Sequence, residues 1–179
     1  MQDRVARIQT ANSFYDINGL IDQQIKMLDS IGPSMIKKAT IGAIEETNRF
    51  APEDSTAWSN EISIFRSIDI NKPLLKDSYS ISEVKKGDNK NITYSSKYPS
   101  KTIVEELSIQ WFEKGEISLK IKANLDSRNP LFKSVRTMEM EFKDVNGLQA
   151  LSHYKSEGWQ KMVSKDSSLY VIEAEIIYD

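Results

Sequence analysis

The spacing of apolar residues changes once along this chain, near Pro73, and that change limits the available folds more than any other feature. Ahead of it, Val5, Ile8, Ala11, Phe14, Ile17, Ile21, Ile25 and Leu28 recur every three or four positions, which lays one apolar stripe along a helix. Gly19 falls inside the stripe at a cost of about 1 kcal/mol relative to alanine. Gly32 can close such a helix in the left-handed conformation, and Pro33 suits the first turn of another. The spacing therefore predicts a second helix from Pro33 to Thr47, with Ile36, Ala39, Ala43 and Ile44 facing inward. "NRFAPEDST" reads as a loop rich in N-cap residues. Trp58, Ile62, Phe65 and Ile68 predict a short third helix that Asn71 and Pro73 end.

After Pro73 the period becomes two. Tyr79 and Ile81 start a strand, "KKGDNKN" makes a turn, and Ile92, Tyr94 and Tyr98 alternate in the next. Residues 103–125 read as a hairpin. Leu107, Ile109 and Trp111 share a face, "EKGE" reverses the chain, and Ile117, Leu119, Ile121, Ala123 and Leu125 alternate with polar residues. "DSRNP" is expected to break the sheet before Phe132, Met138, Met140 and Phe142 share a face, and "DVNG" to turn the chain again. "LQALSHYKSE" fits either a helical turn or a strand. Trp159–Val163 and Leu169–Tyr178 form the arms of a last hairpin around "SKDSS", with Tyr170, Ile172, Ala174, Ile176 and Tyr178 on one face.

Helices first and strands afterwards, without strand–helix–strand alternation, predict an α+β fold. The expectation is one domain over 1–179: about two long helices and one short one within 1–73, packed on an antiparallel sheet of roughly six strands within 74–179, free to curve. The charged stretch "EISIFRSIDINKPLLKDSY" (61–79) gathers Arg66, Asp69, Lys72, Lys76 and Asp77 as an active-site loop would. The handover in spacing at "DINKP" accounts for it as a helix end and linker.

Composition removes several chemistries. No cysteine is present, so disulfides, thiolate ligands and thiol nucleophiles are absent together. His153 is the only histidine, no G-x-S-x-G elbow accompanies it, and a zinc site of the usual kind lacks ligands. The seven glycines make neither a dinucleotide fingerprint nor a phosphate-binding loop. "DNKN" has no calcium-loop glutamate in register. The net charge of -2, with Lys37-Lys38 and Lys85-Lys86 scattered among acids, argues against nucleic acid as a partner. No run of about 18 apolar residues offers a membrane-spanning helix. Glu105 and Glu106 point to opposite sides of a strand, and Glu173 and Glu175 share the solvent side of the last one. Tyr79, Tyr94, Tyr98, Trp111 and Trp159 could line a pocket, but strands favour aromatics for packing. No catalytic, cofactor-binding or metal-binding residue is predicted, and no ligand-binding residue is singled out.

"SFYDINGLIDQQIKML", "WSNEISIFRSIDINKPLLKDSY" and "YKSEGWQKMV" together resemble a pattern of uncharacterised lipoproteins from Bacteroidetes-type bacteria. In these, a leader and a lipid-modified cysteine precede an amphipathic helix, and a β-rich half carries a segment like Gly158 to Lys161. "MQDRVARIQ" has neither leader nor cysteine, which fits a chain begun after the cleavage site. The resemblance implies a location outside the cytoplasm, periplasmic or outer membrane-anchored through acyl chains, and carries no activity. The resulting expectation is a non-enzymatic envelope protein that binds an unknown partner or ligand. One alternative is a carrier of an apolar ligand or lipid in a groove lined by Ile117-Leu119-Ile121 and Met138-Met140-Phe142. Another is a carboxylate-dependent hydrolase of envelope polysaccharide.

Overall fold

The computed structural model describes residues 14–162 and 166–178. Among them the chain makes one antiparallel sheet of nine strands, partly covered on one face by two short helices. The expected architecture of long N-terminal helices on roughly six strands is overturned. Helix α1 spans Ile17–Ile31 and α2 spans Ser55–Ile62. The strands are β1 (Ser34–Ile41), β2 (Ile44–Phe50), β3 (Tyr79–Lys86), β4 (Asn89–Ser96), β5 (Val104–Trp111), β6 (Ile117–Asn129), β7 (Phe132–Val145), β8 (Leu148–Met162) and β9 (Ser168–Ile177). Their order across the sheet is β2-β1-β9-β8-β7-β6-β5-β4-β3. Strands β3 to β9 thus meander, and the β1–β2 hairpin is set against the last of them.

The largest correction falls on residues 33–47, where a helix was expected. Met35, Lys37, Ala39 and Ile41 occupy one face of β1, and only Met35 is fully buried. Every residue of β2 is exposed, so no alternation marks it as a strand. What decides the conformation is pairing: β1 is hydrogen-bonded on both sides, with Ala39 opposite both Glu46 and Ile172. Gly42, at φ 59°, opens the two-residue loop between Ile41 and Ile44, a backbone that side chains disfavour. Gly32 does close α1 in the left-handed conformation, with its N–H donating to the Leu28 carbonyl at 2.8 Å. Pro33 leads into a strand instead of a helix.

Smaller corrections follow the same logic. β6 continues through Asp126-Ser127-Arg128, so the expected break at "DSRNP" is only the Pro130-Leu131 turn. "LQALSHYKSE" and Trp159 belong to one fifteen-residue strand, β8. The third helix is α2 followed by a 3-10 segment, Ser63–Ile68. The start of the predicted first helix (Val5, Ile8 and Ala11) and part of the last predicted turn lie outside the described residues.

The core lies between the helices and one face of the sheet. Ile17, Ile21, Leu28, Trp58, Ile62, Phe65 and Ile68 meet Leu107, Ile109, Leu119, Ile121, Met138, Met140 and Phe142, all fully buried. Each fully buried side chain of this size stabilises the fold by about 1.5–3 kcal/mol. Four hydrogen bonds tie the helices to the sheet. Gln24, 1% exposed, donates from its amide to the Gln149 carbonyl at 2.9 Å and accepts from the Leu151 N–H at 2.8 Å. Both partners precede the bulge residue Ser152, on a stretch of β8 that β9 does not pair, so Gln24 serves backbone groups there. Glu61 of α2 accepts from Lys37 Nζ at 2.7 Å and from the Tyr154 hydroxyl at 3.0 Å. Burial, then the Glu61 charge, push the Tyr154 hydroxyl pKa well above its ordinary value, so it stays a donor.

Candidate functional site

Strands β6 to β9 are longer than the helices that cover them. Following the inner face away from the core, two cross-strand rows pass beyond the apolar layer. One runs Leu125–Arg136–Gly158–Tyr170–Ile41, and the next Ser127–Ser134–Gln160–Ser168. The row before them carries Ser156 and Ile172 beside Met138. With Phe132 at the far end and Ile64 reaching over from the 3-10 segment, these rows enclose an open cleft of about 380 Å³. That lies within the range of about 300–1,000 Å³ usual for small-molecule sites.

The chemistry of this cleft differs from everything around it. Among the described residues Arg136 is the one charged side chain lining it, and no acid does. Its Nε is buried, with no hydrogen-bond partner among the described residues. Ser156 is 3% exposed, and its hydroxyl is likewise unpartnered. A buried polar group without a partner costs free energy, and both residues that carry one line this cleft. Ile41 and Ile64 stay 54% and 45% exposed at its rim, an apolar surface left open to water. Gly158 lies directly across from Arg136, and a side chain there would run into the Val135 carbonyl oxygen. None of Arg136, Ser134 or Ser156 was singled out from the sequence.

The residues that were singled out lie elsewhere. The rows proposed to line an apolar groove are core: Leu119, Ile121, Met138, Met140 and Phe142 are all 0% exposed. Arg66 bridges to Asp22 of α1 at 2.6 Å, and Asp69 accepts from the Asn18 amide at 2.9 Å, so both fasten the linker to α1. Lys72 and Asp69 do line a smaller cleft of about 220 Å³ with Tyr79 and Ile103. Lys76 is exposed, and Asp77 accepts from Lys97 through its backbone carbonyl. Tyr79 and Tyr94 pack edge-on against Phe14, at 5.6 and 5.4 Å between ring centres, and Trp111 against Tyr15 at 5.8 Å. Tyr98 is 51% exposed, and Trp159 is half-buried in β8.

The opposite face of the sheet is charged. Lys120 donates to Glu139 at 2.7 Å and to Glu141 at 2.8 Å. Burial alone would lower its pKa, but the hydrogen bonds and charges of the two glutamates outweigh it and raise the pKa. His153 lies 4.0 Å from Glu141, and its Nδ1 is buried and unpartnered, so no serine hydroxyl is held against that nitrogen. Glu173 and Glu175 stand opposite Lys38 and Ile36 on this face, outside any of the clefts described above. Glu105 and Asp126 border a further cleft of about 420 Å³, while Glu106 is exposed. There the Arg128 hydrogen bond holds Asp126 below the usual carboxylate range, the opposite of what a general acid needs. No cluster of three metal-ligating side chains occurs among the described residues.

No known family model matches the chain, and no curated protein compared with it matches its sequence.

Proposed function

We propose that this is a non-catalytic binding protein of the bacterial envelope whose ligand occupies the cleft at the end of β6–β9. The observation that carries the reading is an open cleft rimmed by isoleucines and lined by Arg136 and Ser156, whose Nε and Oγ are buried without partners among the described residues. Strands built only to back the helices would end with the core, and these continue. The envelope location, including attachment through acyl chains, is supported by the likeness of residues 13–28, 58–79 and 154–163 to Bacteroidetes-type lipoproteins.

Two measurements test this. Native mass spectrometry of protein purified from an envelope fraction should find a small molecule retained, and Ile172→Trp, which narrows the cleft, should abolish the retention. Retention unchanged in Ile172→Trp would remove the cleft from the proposal. Metabolic labelling of the native gene product with palmitate tests the anchor, and an unlabelled protein in the soluble cytoplasmic fraction would refute the location.

A further inference from the structure

The polarity inside the cleft is arranged in a way that specifies its ligand more narrowly. Among the described residues, charge sits at one point only, Arg136, and no carboxylate lines the cleft to neutralise it. The nearby hydroxyls of Ser134 and Ser156 are on residues 4% and 3% exposed, flanking the arginine on adjacent rows of the sheet. A guanidinium presents its donors as a planar fork that matches a carboxylate, and one cation balances one negative charge. Away from the arginine, the lining turns apolar in two directions, toward Phe132 and toward Ile41, Ile64 and Ile172. A bare anion would leave that apolar surface wet. A neutral apolar molecule would leave the arginine fork unmet in a site from which it excludes water.

We infer that the cleft takes a single-chain amphiphile with one carboxylate, the head on Arg136 beside Ser156 and the chain along Ile41, Ile64 and Ile172. This rests on the cleft being the binding site proposed above.

The experiment titrates the intact protein with decanoate, decanol and acetate while following the backbone amide signals of Ser134, Ser156 and Gly158. Decanoate should bind at least about tenfold more tightly than decanol, the worth of one charge-assisted contact, and acetate should not saturate. Arg136→Gln should remove the preference for decanoate and leave decanol unchanged. Decanoate and decanol binding alike in the wild-type protein would overturn the carboxylate assignment while the cleft reading stands. Saturation by acetate at the decanoate affinity would overturn the role of the chain. If none of the three moves these amides, the ligand class is wrong. A protein that also retains no small molecule from the envelope fraction would then overturn the cleft reading itself. The wild-type comparison of the two decyl compounds decides the head group even if Arg136→Gln does not fold.

Discussion

Along β7, Met138, Met140 and Phe142 and then Arg136 and Ser134 occupy the same face of the same strand, yet they belong to different regimes. Under the helices the inward residues of this strand, Met138, Met140 and Phe142, are apolar and fully buried. Past the helices the inward residues become hydroxyl, amide and guanidinium, and two of their polar atoms are buried without partners. β6 makes the same switch from Leu125 to Ser127, and β8 from Tyr154 to Ser156. Three neighbouring strands change character in successive rows, along a diagonal, which is the contrast expected if stability governs one end of the face and the proposed recognition the other.

That contrast can be broken by mutation. Phe142→Ala, in the covered half, should cost about 3–5 kcal/mol in urea-unfolding free energy; a loss below about 1 kcal/mol would mean the covered half is not the stabilising one. Gly158→Val should cost about 1–3 kcal/mol, since the new side chain must push β7 and β8 apart, and ligand retention should fall with it. Gln24→Leu should cost about 1–3 kcal/mol by leaving the Leu151 N–H and Gln149 carbonyl unmet. Amide hydrogen exchange at Leu151 should speed up accordingly. Ser156→Ala sharpens the comparison most: its hydroxyl has no partner, so its removal should be neutral or stabilising, by at most about 1 kcal/mol. A loss as large as that of Phe142→Ala would show that both ends serve stability.

The smallest effect is a pH dependence on the outward side of β6. Arg128 lowers the Asp126 pKa in the folded protein. This contribution is present above the ordinary aspartate pKa, near about 3.9, and is lost as pH falls through the lower folded value. Asp126→Asn should flatten the acid limb of a thermal-unfolding profile, and a limb equally steep in that variant would count against the pair.

Legibility from sequence followed the balance between local and distant causes. The hairpin of β5 and β6 was readable because Leu107, Ile109, Leu119 and Ile121 alternate and all point into the core. α1 was readable in outline because its stripe and Gly32 cap are local. β1 and β2 were not, because their residues carry almost no burial signal and take strand form from β9, far along the chain. The cleft was hidden for a related reason. Ser134 and Arg136 keep the parity of Met138–Phe142, which is visible in sequence, but their meaning depends on where the helical layer stops. "DSRNP" looked like an interruption, and "LQALSHYKSE" fitted a helical turn as well as a strand, because polar residues on an inward face blur the alternation.

The seam between β1 and β9 joins residues 34–41 to residues 170–177. During synthesis the β1–β2 hairpin must wait, with its inner edge unsatisfied, until β9 has been made. Any truncation that removes β9 therefore sets adrift the β1–β2 ribbon, and the proteolytic scar of such damage should appear around residues 34–50.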